Sequence, residues 1–332
     1  MSVTSLRRSI VALAVLLLLP GISHAATSEE TAKSSFEEGM GLNKQRRYDE
    51  ALEKFTRAVA LDLENPRYHQ ALFLTYIALR RGLQAVQFYK DLLKENPKSA
   101  AVHYWLGRLY LESRSMEDAV QEFREAARLA PQDEHAFISL GHVYLRLGRD
   151  KEAFNAYHRA NQLVPHVAVV HAGLGHIHYR HNEDTKAQKE YEEALKLDSS
   201  LTEARYNLSL IYERQGKLSK AMKEWQTLLD EDPNESQARE RLARAYYRTE
   251  RYDDAVREYS TLSQVRQSSP EVFLALGEAQ IMMAASLADP DDRNQLRNLA
   301  VQAFQRTLEL DPGNEQARKY LEIGRASCRE RV

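Results

Sequence analysis

The chain has 332 residues and one cysteine, Cys328, which lies in a C-terminal segment unlike the rest of the sequence. A cysteine nucleophile is therefore excluded elsewhere, and the scarcity of cysteine suits an oxidising compartment. An excess of one charge sign is also missing. Lys plus Arg number 46 and Asp plus Glu 48, a formal net charge of −2. That excludes the global basic field by which nucleic-acid binders hold phosphate. Catalytic motifs are absent too: there is no strand-turn-helix phosphate loop, no nucleophile elbow and no HExxH. Gly39-Met40-Gly41 and Gly173-Leu174-Gly175 fall inside helical patterns, where glycine serves helix contact. No enzyme activity, no cofactor and no metal site is expected.

Long apolar runs are missing except near the start. There Arg7 and Arg8 precede an apolar run from Ile10 to Leu19, broken by Pro20 and Gly21 and followed by Ser23-His24-Ala25. This is the layout of a cleavable secretory signal cut after Ala25, followed by a short linker over 26–31. The run is about half of the ~20 residues a membrane-spanning helix needs, so the mature segment carries no span. At the other end, Ile323–Val332 (IGRASCRERV) reads as the translation of a sequencing-adapter read and is set aside as non-native. The natural chain is then expected to continue past about residue 321 by an unknown length.

What the sequence does contain is a period. From Glu134, steps of 34 residues place unit starts at Ala32, Pro66, Ala100, Glu134, Ala168, Thr202, Ser236 and Pro270, with a partial helix from Glu315. Position 7 is Leu72, Leu106, Leu140, Leu174, Leu208, Leu242 and Leu276. Position 8 is small, as at Gly39, Gly107, Gly141, Gly175, Ser209, Ala243 and Gly277, with Phe73 departing. Position 20 is alanine from Ala51 to Ala255, and position 24 is aromatic: Phe55, Tyr89, Phe123, Tyr157, Tyr191, Trp225 and Tyr259. Proline recurs at position 32 as Pro97, Pro131, Pro165 and Pro233. Small residues at 8 and 20 let two helices approach closely while the large ones fill the space beside them, and proline ends the second helix. In the eighth unit the small–aromatic pair returns late, at Ala300 and Phe304, which predicts longer helices around the turn at Asp289-Pro290.

These residues closely resemble the tetratricopeptide repeat family over about residues 32–321. The resemblance implies an all-α, right-handed α-solenoid of about eight helix-turn-helix units. It also implies that first helices line a concave groove, with positions 2, 5, 6, 9, 12 and 13 pointing into it. Position 13 is Arg146, Arg180, Arg214 and Arg248, and position 9 is His142, His176, Leu210 and Arg244. Such a row suits carboxylates, phosphates or an acidic polymer; the alternative is a solvated basic face. Tyr179, Tyr206 and Tyr247 add stacking surface. Asn207 and Arg241 match two positions of the family's two-carboxylate clamp, but Phe36, Met40, Ala172 and His176 stand where its other residues belong, so that clamp is not expected. Eight histidines between His135 and His181 form a cluster, in which His178 and His181 are spaced to share a metal.

The expected function is a non-catalytic scaffold of the bacterial cell envelope, periplasmic, holding a peptide or partner subunit in the groove. One alternative is a module of an envelope polysaccharide synthesis or secretion system that recognises an acidic glycan. Another is the N-terminal repeat region of a larger protein ending in a barrel or an enzyme domain. For localisation the alternative is a secreted protein or one tethered by an uncleaved anchor.

Overall fold

The structure, a computed structural model, describes residues 23–329, with side chains described for 28–322. The expected signal sequence up to residue 22 lies outside the described residues, as do the side chains of the 323–332 segment. Among the described residues every regular element is an α-helix. Helices α1 (Ser23–Lys44), α2 (Tyr48–Leu61), α3 (Pro66–Ala78), α4 (Gly82–Glu95), α5 (Ala100–Glu112), α6 (Met116–Leu129), α7 (Glu134–Arg146) and α8 (Asp150–Leu163) lie in the first of two compact units, which ends at Pro165. The second unit begins at His166. It contains α9 (Ala168–Arg180), α10 (Asp184–Leu197), α11 (Thr202–Arg214), α12 (Leu218–Glu231), α13 (Ser236–Arg248), α14 (Tyr252–Val265), α15 (Pro270–Ser286), α16 (Pro290–Leu310) and α17 (Glu315–Arg329). Each unit is an all-α helical-repeat solenoid.

The two helix types start by different means. Several first helices carry a side-chain cap. Asn65, Ser99, Asp133 and Glu235 each accept a hydrogen bond from a backbone N–H of α3, α5, α7 and α13 respectively. The second helices of the first seven repeats follow a tight turn whose apex is left-handed: Arg46, Arg80, Arg114, Gly148, Asn182, Gly216 and Glu250 have φ between 55° and 72°. The next residue's N–H closes the turn onto the carbonyl five residues back, as from Arg81 to Tyr76 (2.9 Å) and from Arg149 to Tyr144 (2.8 Å). Only two apices are glycine. The others hold an L-residue where ~1–2 kcal/mol of strain is the rule, so the turn is imposed by the packing on both sides of it.

At the start, α1 extends from Ser23, so residues 26–31 are helical where a linker was expected. The reason is local: between Ser23 and Gly39 there is neither proline nor glycine to stop a helix. The late pair of the eighth repeat gives helices of 17 and 21 residues, α15 and α16, against 13 and 14 in the regular repeats.

In the repeats with glycine at position 8, the aromatic ring of the second helix lies on that glycine. A methyl group added at Gly39, Gly107, Gly141, Gly175 or Gly277 would stand 2.6–2.9 Å from the ring of Phe55, Phe123, Tyr157, Tyr191 or Phe304 respectively. These rings are almost fully buried, together with the alanines at position 20. Phe304 reaches Gly277 although the spacing in that repeat is longer.

A second device joins successive repeats within each of the two units. The carbonyl at position 32 follows a helix C-terminus and would otherwise lack a partner. Position 4 of the next first helix takes it: His69 Nε2 to Leu63 O (2.8 Å), His103 Nε2 to Pro97 O (3.3 Å), Arg205 to Ser199 O (2.6 Å), Arg239 to Pro233 O (2.6 Å) and Arg318 to Pro312 O (2.7 Å). Where position 4 is Phe137 or Phe273, an arginine from the second helix lies over that ring and donates to the same carbonyl. Arg159 reaches Pro131 O (3.2 Å) and Arg306 reaches Gln267 O (3.4 Å). The position-4 base also pairs with a glutamate of its own second helix, as in His103–Glu122 (2.7 Å), His171–Glu190 (2.7 Å), Arg205–Glu224 (2.9 Å) and Arg239–Glu258.

Two glycines of α1 should respond in opposite ways. Gly39→Ala drives a methyl into Phe55 and should cost ~1–3 kcal/mol, whereas Gly41→Ala meets nothing within 4 Å and should stabilise by ~0.5–1 kcal/mol. Thermal melts of the two variants check the pair. His69 gives a pH test. It is fully buried between Tyr89 and Trp105, and burial pushes its pKa down to about 4. The unfolded chain takes up a proton near pH 6.5 that the folded chain refuses, so this residue lowers stability as pH falls from about 6.5 to about 4. His69→Gln should flatten the melting temperature over that window; an unchanged slope counts against the assignment.

Candidate functional site

The first-helix face is where the sequence places binding residues, and their surroundings decide what they can hold. In the first unit, His142 and Arg146 are exposed on α7. The other ten candidates belong to the second unit, so the arginine row within one compact unit is Arg180, Arg214 and Arg248. Arg180 is exposed, and His176 and Asn207 are half-buried.

Contacts from repeat to repeat bring most of the remainder together. The Arg214 guanidinium lies 4.4 Å above the Tyr179 ring and donates to Asp184 Oδ1 (2.5 Å). Arg241 donates to Glu213 Oε2 (3.0 Å), and Arg248 stands 3.6 Å from the other oxygen of the same carboxylate. Burial works against the Arg241 charge, but Glu213 and the Tyr206 hydroxyl outweigh it and raise its pKa. Arg244 donates to Glu240 Oε1 (3.0 Å), whose second oxygen accepts from Arg266 (2.7 Å). The face is thus a lattice of alternating charge with tyrosines between. Each pair is partly exposed and contributes ~0–1 kcal/mol, weak enough for an incoming group to displace.

The carboxylates in this lattice were not singled out from the sequence. The signal was available: Glu240, Glu213 and Glu278 occupy positions 5, 12 and 9 of their first helices, beside the arginines at positions 6, 9 and 13.

Beyond Arg244 the face deepens into a cleft of about 410 Å³ between α13, α14 and α15. Arg244 and Tyr247 line it from α13, Tyr259 from α14, and Val272 and Glu278 from α15. Burial pushes the Tyr259 hydroxyl up to about 12 and holds the Glu278 carboxyl above its usual range. Both effects mark a site partly withdrawn from water.

Three of the clustered histidines are drawn into local pairs with carboxylates. His178 Nδ1 faces Glu183 (2.5 Å), His171 faces Glu190 (2.7 Å) and His135 faces Asp133 (2.8 Å). The trio Asp133, Glu134 and His135 is explained by capping of α7, since Asp133 Oδ1 accepts from both the backbone N–H and the ring of His135. Among the described residues no helix is long and apolar enough to cross a membrane.

Family sequence models described as tetratricopeptide repeat match residues 71–134 and 214–279, and one described as TPR repeat matches 175–216. A comparison with curated protein sequences gives no significant match. Among solved structures the chain is similar to the APC/C hetero-tetramer Cut9–Hcn1, at 17% identity and TM-score 0.52 over 96% of this chain and 58% of that one. It is also similar to pilF of Pseudomonas aeruginosa, at 19% identity and TM-score 0.53 over 68% of this chain and 97% of that one. A third is the C-terminal part of a TPR repeat-containing protein from Cytophaga hutchinsonii, at 19% identity and TM-score 0.57 over 77% and 99%. At these identities the likeness is one of fold. The chain spans 58% of the length of the first of the three.

The internal neutralisation of the arginines is open to measurement. The triple variant Asp184→Asn, Glu213→Gln, Glu240→Gln should bind a heparin column more tightly and elute at higher salt than the natural chain. It should lose no more than ~1 kcal/mol of stability per site. Identical elution would mean that the arginines already act as free cations.

Proposed function

Because the chain belongs to the tetratricopeptide repeat family, a family of protein-interaction scaffolds, we propose that it is a non-catalytic scaffold of the bacterial cell envelope that holds a peptide segment of a partner protein on the first-helix face of its second unit. The observation that carries this reading is the lattice of Tyr179, Tyr206, Glu213, Arg214, Arg241 and Arg248 leading into the cleft beside Arg244. A peptide backbone offers both donors and acceptors, and a surface of alternating charge with aromatic rings can answer both. An acidic glycan fits less well, because Arg214, Arg241, Arg244 and Arg248 already face carboxylates. The periplasmic location rests on the signal-like pattern from Arg7 to Ala25.

Site-specific photo-crosslinking in bacterial cells carrying the full chain tests both parts. A photoreactive residue at Tyr206 or Tyr247 should give a discrete adduct with a partner, and the same residue at Lys223 on the exposed side of α12 should give none. The adduct should appear in the periplasmic fraction. Equal labelling from Lys223 would sink the groove assignment, and a cytoplasmic product would sink the location.

A further inference from the structure

The cleft beside α15 is unevenly supplied with charge. On one side two guanidinium groups, Arg244 and Arg266, converge on a single carboxylate, Glu240, at 3.0 and 2.7 Å. Glu271 is settled at the first turn of α15, where the Ser269 hydroxyl donates to it (2.8 Å). Glu278, half-buried on the same helix, has uncharged hydrogen-bond partners, Gln316 (2.5 Å) and Tyr320. A carboxylate withdrawn from water and held by neutral donors keeps its charge at a cost that a cation in contact would offset. Tyr247 and Val272 supply an apolar wall along which a chain of methylene groups can lie.

We propose that this cleft is a subsite for the cationic side chain of a bound peptide, lysine or arginine, with Glu278 as its counter-ion. The proposal rests on the reading of the first-helix face as a peptide site, and it sets the specificity of that site. Arg244 and Arg266 are both hydrogen-bonded to Glu240, and with Glu271 and Glu278 the cleft carries three carboxylates against two guanidinium groups, a balance that favours an incoming cation. The aliphatic stem displaces water from Tyr247, and the charged head replaces water at Glu278.

Panning a random dodecamer phage library on the full chain tests this. Peptides enriched on the natural protein should share one lysine or arginine at a fixed place in their alignment. Panning on Glu278→Gln should keep the other shared positions and lose that one. A selected peptide resynthesised with norleucine in place of the basic residue should bind roughly tenfold or more weakly to the natural chain and no more weakly to Glu278→Gln. The norleucine comparison on the natural chain stands even if the variant fails to fold. Peptides without a shared basic position, or with the same preference on Glu278→Gln, would overturn the subsite and leave the peptide-binding reading intact. Failure of the natural chain to enrich any peptide would overturn both.

Discussion

The contact between an aromatic ring and a residue with little or no side chain governs this molecule. Tyr157 lies on Gly141, Phe123 on Gly107 and Phe304 on Gly277, at distances that leave no room for a methyl group. The ring sets how closely the two helices of a repeat approach, and the approach sets the tight turn between them. That turn needs a left-handed residue at its apex, and the chain accepts Arg46, Arg80, Arg114 and Glu250 there at some conformational cost. Favourable local propensity therefore matters less at the apex than the packing on either side of it.

Between repeats the constraint is polar. Within each unit, the carbonyl left over at the end of a second helix is taken by a base at position 4, or by an arginine that reaches over a phenylalanine to the same oxygen. Two chemically different solutions serve one demand, satisfaction of a backbone acceptor near a helix C-terminus. The same position gives histidines of opposite character. Burial keeps His69 neutral, whereas Glu122 raises the proton affinity of His103.

The first-helix face of the second unit inherits this regularity and then departs from it. Tyrosines and arginines recur at fixed positions, but carboxylates at the same set of positions turn a basic row into a lattice. Arg214 is the clearest case. Its sequence position suggests a cation facing a groove, and its surroundings are an aromatic ring and an aspartate from the preceding repeat. The cleft at Glu278 arises where the long eighth repeat brings α15 against α13 and α14, with Gln316 and Tyr320 of α17 completing its polar contacts.

Helix type, the 34-residue step and the ring-on-glycine pairing were legible in the sequence, because each depends on residues at constant separation. The displaced pair Ala300 and Phe304 was legible for the same reason. The arginine apices of the turns and the carbonyl clamp were not, since they answer to contacts that no local pattern encodes; the extension of α1 to Ser23 follows from the local absence of a helix breaker. Of the candidate site, the arginines and tyrosines could be picked out by position alone. Their partners Asp184, Glu213 and Glu240, and the division of the chain after Pro165 that separates His142 and Arg146 from the rest, were decided only by tertiary structure. The physical reason is that a side chain's position follows from helical periodicity, whereas its net charge in place depends on what stands within ~4 Å of it.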